Sequence, residues 1–436
     1  MKRESFGSLF YFQRFFQVIF FLRISHYLWK KVRTMFDNAD LSNKKVVVRV
    51  DFNVPLDSNL NVTDDTRIRA AIPTIRELHH RGARVILMSH LGRPLKDLNE
   101  DGSIKTKYSL KNIVSSLSDS LNLDVIFIAT SVQDNAILTD IENTGDNRII
   151  LLENTRFYKG EEKGDPELAR KMAALGDYYV NDAFGTAHRE HASTATIARY
   201  FDKDHKSFGF LMDKEVSNIS RVLDDIQKPF CAILGGAKVS DKIKLIENLL
   251  DKADKIIIGG GMAFTFIKAQ GGTIGKSLCE DDKLDLANQL LAKAGEKGVE
   301  LLLPVDAKVS ETFSNDGLFV TKPIDEIPDG WMGLDIGEAS ISLFEEAILS
   351  SKMILWNGPM GVFEFSNFAH GTFEIASALA KVTKNGAFTL VGGGDSVAAI
   401  SKAGLDDSVS FVSTGGGAML EMIEGQVLPG VAAMQA

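Results

Sequence analysis

The chain has 436 residues, 44% of them hydrophobic and 25% charged, with 49 basic against 58 acidic side chains. That is the balance of a soluble globular protein of two to three domains, each long enough to bury its own core. A net charge of −9 leaves no basic field for nucleic acid. The two cysteines, Cys231 and Cys279, lie in apolar or helical surroundings, which excludes a disulfide framework and points to a reducing compartment, the cytoplasm.

The first 36 residues differ in kind from the rest. Phe6, Phe10, Phe12, Phe15, Phe16, Phe20 and Phe21 are interleaved with Arg14, Arg23, Lys30, Lys31 and Arg33, and the only acid is Glu4. The longest uninterrupted apolar run, 18–22, is far short of the roughly 20 residues that span a bilayer, so no stable membrane insertion is expected. A transit peptide, a membrane-surface anchor and a segment absent from the mature protein all fit this composition. The third is preferred, because Met35 stands just before the first regular element.

From residue 45 short apolar runs alternate with longer segments of helical period. The first half predicts strands at 45–50, 84–88, 124–128, 149–152 and 178–180. Ile68, Ala71, Ile72, Ile75 and Leu78 mark one face of a helix between the first two, and Pro73 predicts a break or kink in it. The second half predicts strands at 230–234, 255–258, 300–303, 353–356, 387–391 and 409–412. Apolar strands separated by helices form parallel sheets covered on both faces. The expected fold class is therefore α/β, two Rossmann-like domains with parallel sheets flanked by helices. A helix expected over 208–227, with Leu211, Val216, Ile219 and Leu223 on its apolar face, joins them. This divides the chain into an extension (1–36), a first domain (37–207), the connecting helix (208–227), a second domain (228–424) and a C-terminal segment (425–436).

In open α/β sheets ligands bind beyond the carboxyl ends of the strands. After the first-half strands come Asp51-Phe-Asn53, Ser89-His-Leu-Gly-Arg-Pro94, Glu153-Asn-Thr-Arg-Phe157 and Asn181-Asp-Ala-Phe-Gly-Thr-Ala-His-Arg189. Any one of His90, Arg93, Arg156, His188 and Arg189, or Arg67 at the start of the first helix, is more often a plain surface charge than a ligand. Six together at strand ends read as a pocket for a small anion bearing phosphate and carboxylate groups.

After the second-half strands come glycines instead, at 235–236, 259–261, Gly358, 392–394 and 415–417. Without a Cβ they admit a ligand to the backbone and read as a phosphate-compatible, nucleotide-sized floor. In the stretch 230–242 an apolar strand ends in Gly235-Gly236 and a helix is expected to open, with Lys238 and Lys242, four apart, on one face of it beside bare N–H groups. Asp395 reads as an N-cap or, beside phosphates, as a ligand of Mg²⁺ or of its water. Gly271-Gly-Thr-Ile-Gly-Lys-Ser277 imitates a P-loop, but Gln270 stands where the first glycine belongs and the segment follows a helix, so it is rejected.

Six motifs then identify a family. Arg49-Val-Asp-Phe-Asn-Val-Pro55, Ser89–Pro94, Asn181–Arg189, Gly235-Gly-Ala-Lys-Val-Ser-Asp-Lys242, Trp356-Asn-Gly-Pro359 and Gly392-Gly-Gly-Asp395 resemble phosphoglycerate kinase in order and spacing, from about Met35 to the last residue. The resemblance implies a hinge-bending kinase of glycolysis and gluconeogenesis, 1,3-bisphosphoglycerate + ADP = 3-phosphoglycerate + ATP, with Mg²⁺ bound with the nucleotide. It implies a cytoplasmic monomer acting on small molecules. It places 3-phosphoglycerate on Asp51, Asn53, Arg67, His90, Arg93, Arg156 and Arg189; Leu91, Gly92 and His188 of the same strand-end segments complete the candidate pocket. It places the nucleotide on Lys242, Gly333, Glu364, Gly393, Gly394, Asp395 and Ser396 and its phosphoryl groups on Lys238. Gly259, Gly260 and Asn357 of the glycine-rich loops join that candidate site, and Arg67, Lys238 and Lys242 are the candidates for the transferring phosphoryl. Residues 425–436 are implied to return to the first domain. The extension is foreign to the family, Ser396 stands where threonine is usual, and residues 307–311 are atypical. A dehydrogenase would share the fold class, but no G-x-G-x-x-G opens a helix after the first strand, and a non-catalytic scaffold would have lost the cations.

Overall fold

The computed structural model describes residues 39–436, so the expectations for residues 1–36 lie outside it. The described chain forms two compact units. One runs to Ser217 and takes in Leu428–Ala436; the other is Asn218–Val427.

The first unit is built on strands β1 (Lys45–Val50), β2 (Arg84–Met88), β3 (Val125–Ile128), β4 (Ile149–Leu152), β5 (Tyr178–Asp182) and β6 (Lys206–Phe208). They form one all-parallel sheet in the order β3-β4-β2-β1-β5-β6. Strand β1 is Lys-Val-Val-Val-Arg-Val and buries Val46 through Val50, as a strand covered on both faces must. Val46, Val48 and Val50 share a core with Ile68, Ala71, Ile72, Ile75 and Leu78 of helix Thr66–His80. Each of the valine, isoleucine and leucine side chains contributes about 1.5–3 kcal/mol on burial. Of the break or kink expected at Pro73, the break does not occur: the helix continues through it. Pro73 itself is exposed, while Ile72, Thr74 and Ile75 beside it are buried. Their packing outweighs the single backbone hydrogen bond that proline removes.

The second unit carries β7 (Phe230–Leu234), β8 (Lys255–Ile258), β9 (Thr273–Ile274), β10 (Glu300–Leu302), β11 (Asp306–Ser310), β12 (Phe319–Pro323), β13 (Glu326–Ile327), β14 (Met332–Ile336), β15 (Met353–Asn357), β16 (Phe388–Val391) and β17 (Phe411–Val412). Six of them form a second parallel sheet, β10-β8-β7-β15-β16-β17. The remainder build an antiparallel sheet, β12-β11-β14, and a short β13-β9 pair. Phe264, Ile267, Ile274, Val309 and Ile327 cluster beneath them. Periodicity missed this layer because β11 is Asp-Ala-Lys-Val-Ser and β12 is exposed at every position, so neither shows an apolar run.

The connecting helix is Phe210–Asp224, shorter than expected, because β6 occupies 206–208. Its buried residues are Met212, Glu215, Ile219 and Val222; of the expected face only Ile219 is fully buried. Helix Pro429–Gln435 is fastened within the first unit. Gly430 N–H donates to the Ala187 carbonyl at 2.8 Å, Asn181 Nδ2 to the Gly430 carbonyl at 3.3 Å and Lys206 Nζ to the Ala433 carbonyl at 3.0 Å. Both cysteines are free thiols. Among the described residues no helix is long and apolar enough to cross a membrane.

Candidate functional site

In the first unit β4, β2, β1 and β5 are consecutive neighbours, so the loops leaving their carboxyl ends lie side by side, roughly 5 Å apart at the strand ends. Those loops are tied to one another. Asn53 Oδ1 accepts from Gly92 N–H at 2.8 Å, and the Gly92 carbonyl accepts from Arg156 Nη1 at 2.7 Å. Asn154 Nδ2 holds the Leu91 carbonyl at 2.8 Å. Gly92 sits at φ +62°, where a side chain would be strained and would also strike the Tyr108 ring. Asp51 Oδ2 pairs with Arg67 Nη1 at 3.1 Å. Arg93 is exposed beside the tied segment.

The electrostatics of this loop set are one-sided. Burial holds His90 well below the ordinary histidine range, and Arg49, Arg156, Arg67 and Arg189 push the same way, so its ring is neutral. Burial, followed by the same kind of cation, takes His191 down to about 3. His188 is lowered by burial and by Arg189. His188 Nε2 accepts from Arg189 Nε at 3.1 Å, which leaves the proton of a neutral ring on Nδ1. That Nδ1 is sealed from solvent without a hydrogen-bond partner, as are Nε and Nη2 of Arg156. Glu162 Oε1 approaches Arg156 Nε at 3.3 Å, but not in hydrogen-bonding geometry. A buried donor left unmatched costs about 1–3 kcal/mol. Three such donors, two on a guanidinium, are what a carboxylate or phosphate would satisfy.

In the second unit the loops after β8, β7, β15 and β16 are again adjacent. The lysines do not share a helix face as expected. Helix Ile243–Leu249 begins after both, with Lys242 at its cap position and Lys238 exposed in the loop before it. Buried Val239 and the two bonds from Ser240 to Glu280, 2.9 Å from the amide and 2.6 Å from the hydroxyl, hold 239–240 in a turn. Lys242 is lowered by burial and donates to Asn357 Oδ1, while Asn357 Nδ2 donates to the Gly392 carbonyl at 2.6 Å.

Most of the glycine floor does not offer bare amides. Gly235 N–H goes to the Asn357 carbonyl (2.9 Å), Gly236 to Pro359 (3.2 Å), Gly259 to Leu234 (2.8 Å) and Gly260 to Met360 (3.1 Å). These glycines serve close loop packing, because a Cβ on Gly235 would collide with the Gly358 and Pro359 carbonyls. Helix Gly394–Lys402 is different. Its first-turn amides have no intrahelical partner, and Asp395 stands exposed among them. Ser396 is buried, and its hydroxyl accepts from Gly358 N–H. Gly333 lies on β14, where its N–H donates to Ser277 Oγ at 2.9 Å. Glu364 is exposed.

A family model described as phosphoglycerate kinase matches residues 36–426. The chain belongs to the phosphoglycerate kinase family. The phosphoglycerate kinase of Porphyromonas gingivalis is 52% identical over 423 residues, covering 92% of this chain and 99% of the relative. A phosphoglycerate kinase from Nicotiana tabacum named as cytosolic is 53% identical over 398 residues, with 91% and 96% covered. Among solved structures, phosphoglycerate kinase from Coxiella burnetii superposes with a TM-score of 0.82 at 44% identity, covering 91% of this chain and 97% of that one. The enzyme from Pyrococcus horikoshii gives 0.75 at 31%, with the same coverage. The chain is thus a phosphotransferase of glycolysis, acting between ATP and 3-phosphoglycerate.

Three residues of this phosphoglycerate kinase loop set escaped the reading of site residues from sequence. Arg49 is wholly buried and touches His90; the available signal was an arginine inside an otherwise apolar strand covered on both faces. Glu161 and His191 are buried polar groups of the same region, and no local pattern marks them.

Proposed function

We propose that Asp51, Asn53, Arg67, His90, Leu91, Gly92, Arg93, Arg156, His188 and Arg189 form the 3-phosphoglycerate pocket, and that the loops of the second unit hold the nucleotide. The sealed, unmatched donors of Arg156 and His188 carry this reading. Neutral His90 can donate a hydrogen bond without adding charge, while the arginines supply the field. On the nucleotide side Gly393, Gly394 and Ser396 bring backbone to the phosphates, and Lys242 with Asn357 braces the loop beneath. Gly259, Gly260 and Gly333 shape that floor. Glu364 accepts from the ribose.

The acceptor is a carboxylate already ionised at neutral pH, so no general base is needed. A carboxylate oxygen bonds to the γ-phosphorus as the bond to the β–γ bridging oxygen breaks, giving the acyl phosphate and ADP. Rate comes from alignment and charge neutralisation, with Arg67 and Lys238 on the transferring group. Among the described residues no cluster of three or more His, Cys, Asp or Glu is built to hold a metal. Exposed Asp395 at the helix start would be the residue to hold a Mg²⁺ arriving with the phosphates, and such an ion would neutralise phosphate charge. The same reading makes the enzyme a cytoplasmic monomer acting on small molecules, in keeping with its free cysteines.

Calorimetric titration tests the assignment. Arg156→Ala is expected to weaken 3-phosphoglycerate binding roughly ten- to hundredfold and to leave MgADP affinity unchanged. Equal weakening of both ligands would overturn it.

A further inference from the structure

We propose that Glu161, acting through Ser193 and Arg49, is a positioning residue that fixes His90 as the tautomer protonated on Nε2. The proposal rests on the placement of His90 in the 3-phosphoglycerate pocket and assigns roles to residues outside that pocket.

All four side chains are buried, Glu161, Ser193 and Arg49 completely. Glu161 Oε1 accepts the Ser193 hydroxyl proton at 2.5 Å, and Oε2 accepts the Ser193 amide at 3.0 Å. With its own proton committed, Ser193 Oγ can only accept from its other neighbour, and Arg49 Nε donates to it at 2.8 Å. Arg49 Nη1 is taken by the Val50 carbonyl, and Nη2 lies 3.2 Å from His90 Nδ1. A guanidinium has donors only, so His90 Nδ1 must be the acceptor and carries no proton. A neutral imidazole then holds its proton on Nε2, which has no protein partner among the described residues.

The direction of the chain of bonds is set at its far end. A buried carboxylate is an acceptor only, so every bond runs toward Glu161: Arg49 to Ser193, Ser193 to Glu161. Were Ser193 free to turn its proton toward Arg49, two donors would face each other and Arg49 would lose its hold on the ring. The carboxylate also balances a buried guanidinium, which is costly without a countercharge. The charged groups facing His90 are Arg49, Arg156, Arg67 and Arg189, all opposing a second proton, and Asp51, whose Oδ1 is 3.8 Å from Nδ1 and too distant to claim one. The relay thereby presents a pocket already equipped with a fixed donor at Nε2.

The test is imidazole ¹⁵N spectroscopy on the full chain labelled at its eight histidines, with His90 assigned by the signal lost in His90→Gln. The wild type is expected to show the neutral Nε2–H pattern between about pH 6 and pH 8. Ser193→Ala removes only the bridging hydroxyl. It is expected to mix the two tautomers and to raise KM for 3-phosphoglycerate about tenfold, with a smaller effect on kcat. Ser193→Thr keeps the hydroxyl and is expected to restore both. A wild-type His90 protonated on Nδ1, or Ser193→Ala leaving the His90 signals unchanged in a folded protein, would overturn the relay. The wild-type measurement decides even if the alanine variant does not fold. A fixed Nε2–H tautomer together with unchanged 3-phosphoglycerate affinity in His90→Gln would instead remove His90 from the pocket and leave the relay standing.

Discussion

Two buried arginines of the first unit show opposite solutions to the same problem. Arg49 has its nitrogens directed at Ser193, the Val50 carbonyl and His90, whereas Arg156 spends one nitrogen on the Gly92 carbonyl and keeps two sealed and unmatched. The first is architecture and the second is left open for the proposed ligand, although each is a single arginine at or just beyond the carboxyl end of a strand, Arg49 next to last in β1 and Arg156 in the loop after β4. The lysines of the second unit divide in the same manner. Lys242 is partly buried and committed to Asn357, while Lys238 is exposed. On the proposed assignment the exposed charge is the one that meets the transferring phosphoryl, whose charge is redistributed most during reaction. Lys238→Ala is expected to lower kcat about 10²–10³-fold in a coupled assay of ATP-dependent 1,3-bisphosphoglycerate formation, with KM changing much less. A folded variant with unchanged kcat would remove Lys238 from the reaction.

The connecting helix shows how an element can take its start from distant residues. Gly209 precedes it and offers no capping side chain. Phe210 N–H donates to Thr74 Oγ1 at 2.9 Å and Met212 N–H to Asp182 Oδ1 at 3.1 Å, so the cap comes from helix Thr66–His80 and from the end of β5. Asp182 is wholly buried with Oδ2 unmatched. Burial raises its pKa from the ordinary 3.8 to about 7, against the Thr74 hydroxyl and the Met212 and Leu211 amides, which favour the anion. A raised carboxyl keeps its proton in the folded state where the unfolded chain gives it up. Its favourable contribution is complete below 3.8 and is lost as pH rises through about 7. Asp182→Asn cannot titrate. Between about pH 5 and pH 7 the wild type is expected to lose stability relative to this variant at up to ~1.4 kcal/mol per pH unit, read from thermal unfolding at a series of pH values. Parallel curves for the two proteins would contradict the buried, protonated carboxyl.

At the scale of the whole molecule, two parallel sheets carry two chemically distinct sets of loops. Cations and neutral histidines stand beyond the strands of the first unit, and glycines with a short, amide-bearing helix start stand beyond those of the second. A carboxylate would be repelled by phosphates but can accept from ribose hydroxyls, and exposed Glu364 belongs to the second set. Glu364→Ala is expected to weaken MgADP binding about tenfold and to leave 3-phosphoglycerate affinity unchanged, the reverse of Arg156→Ala. Calorimetry on both variants with both ligands gives four affinities, and a loss of 3-phosphoglycerate binding in Glu364→Ala would sink the division.

Much of this was legible from the sequence alone because its causes are local. Valine-rich and other apolar runs such as 45–50 and 230–234 are strands wherever they are placed. A loop that leaves a parallel strand stands at the sheet's carboxyl edge, so the cations and glycines could be placed at the edges of two different sheets by position. Tertiary structure decided the rest because the deciding partners are far apart in the chain. The antiparallel strands β11, β12 and β14 lack an apolar run and exist through pairing. Lys242 precedes its helix because 239–240 are held in a turn by burial and by Glu280. The amides of Gly235, Gly236, Gly259 and Gly260 are spent on other strands and loops, and Glu161 reaches His90 only through Ser193 and Arg49. Residue type and spacing place a charge at a strand end; whether that charge is already matched depends on groups that only the folded chain brings within hydrogen-bonding distance.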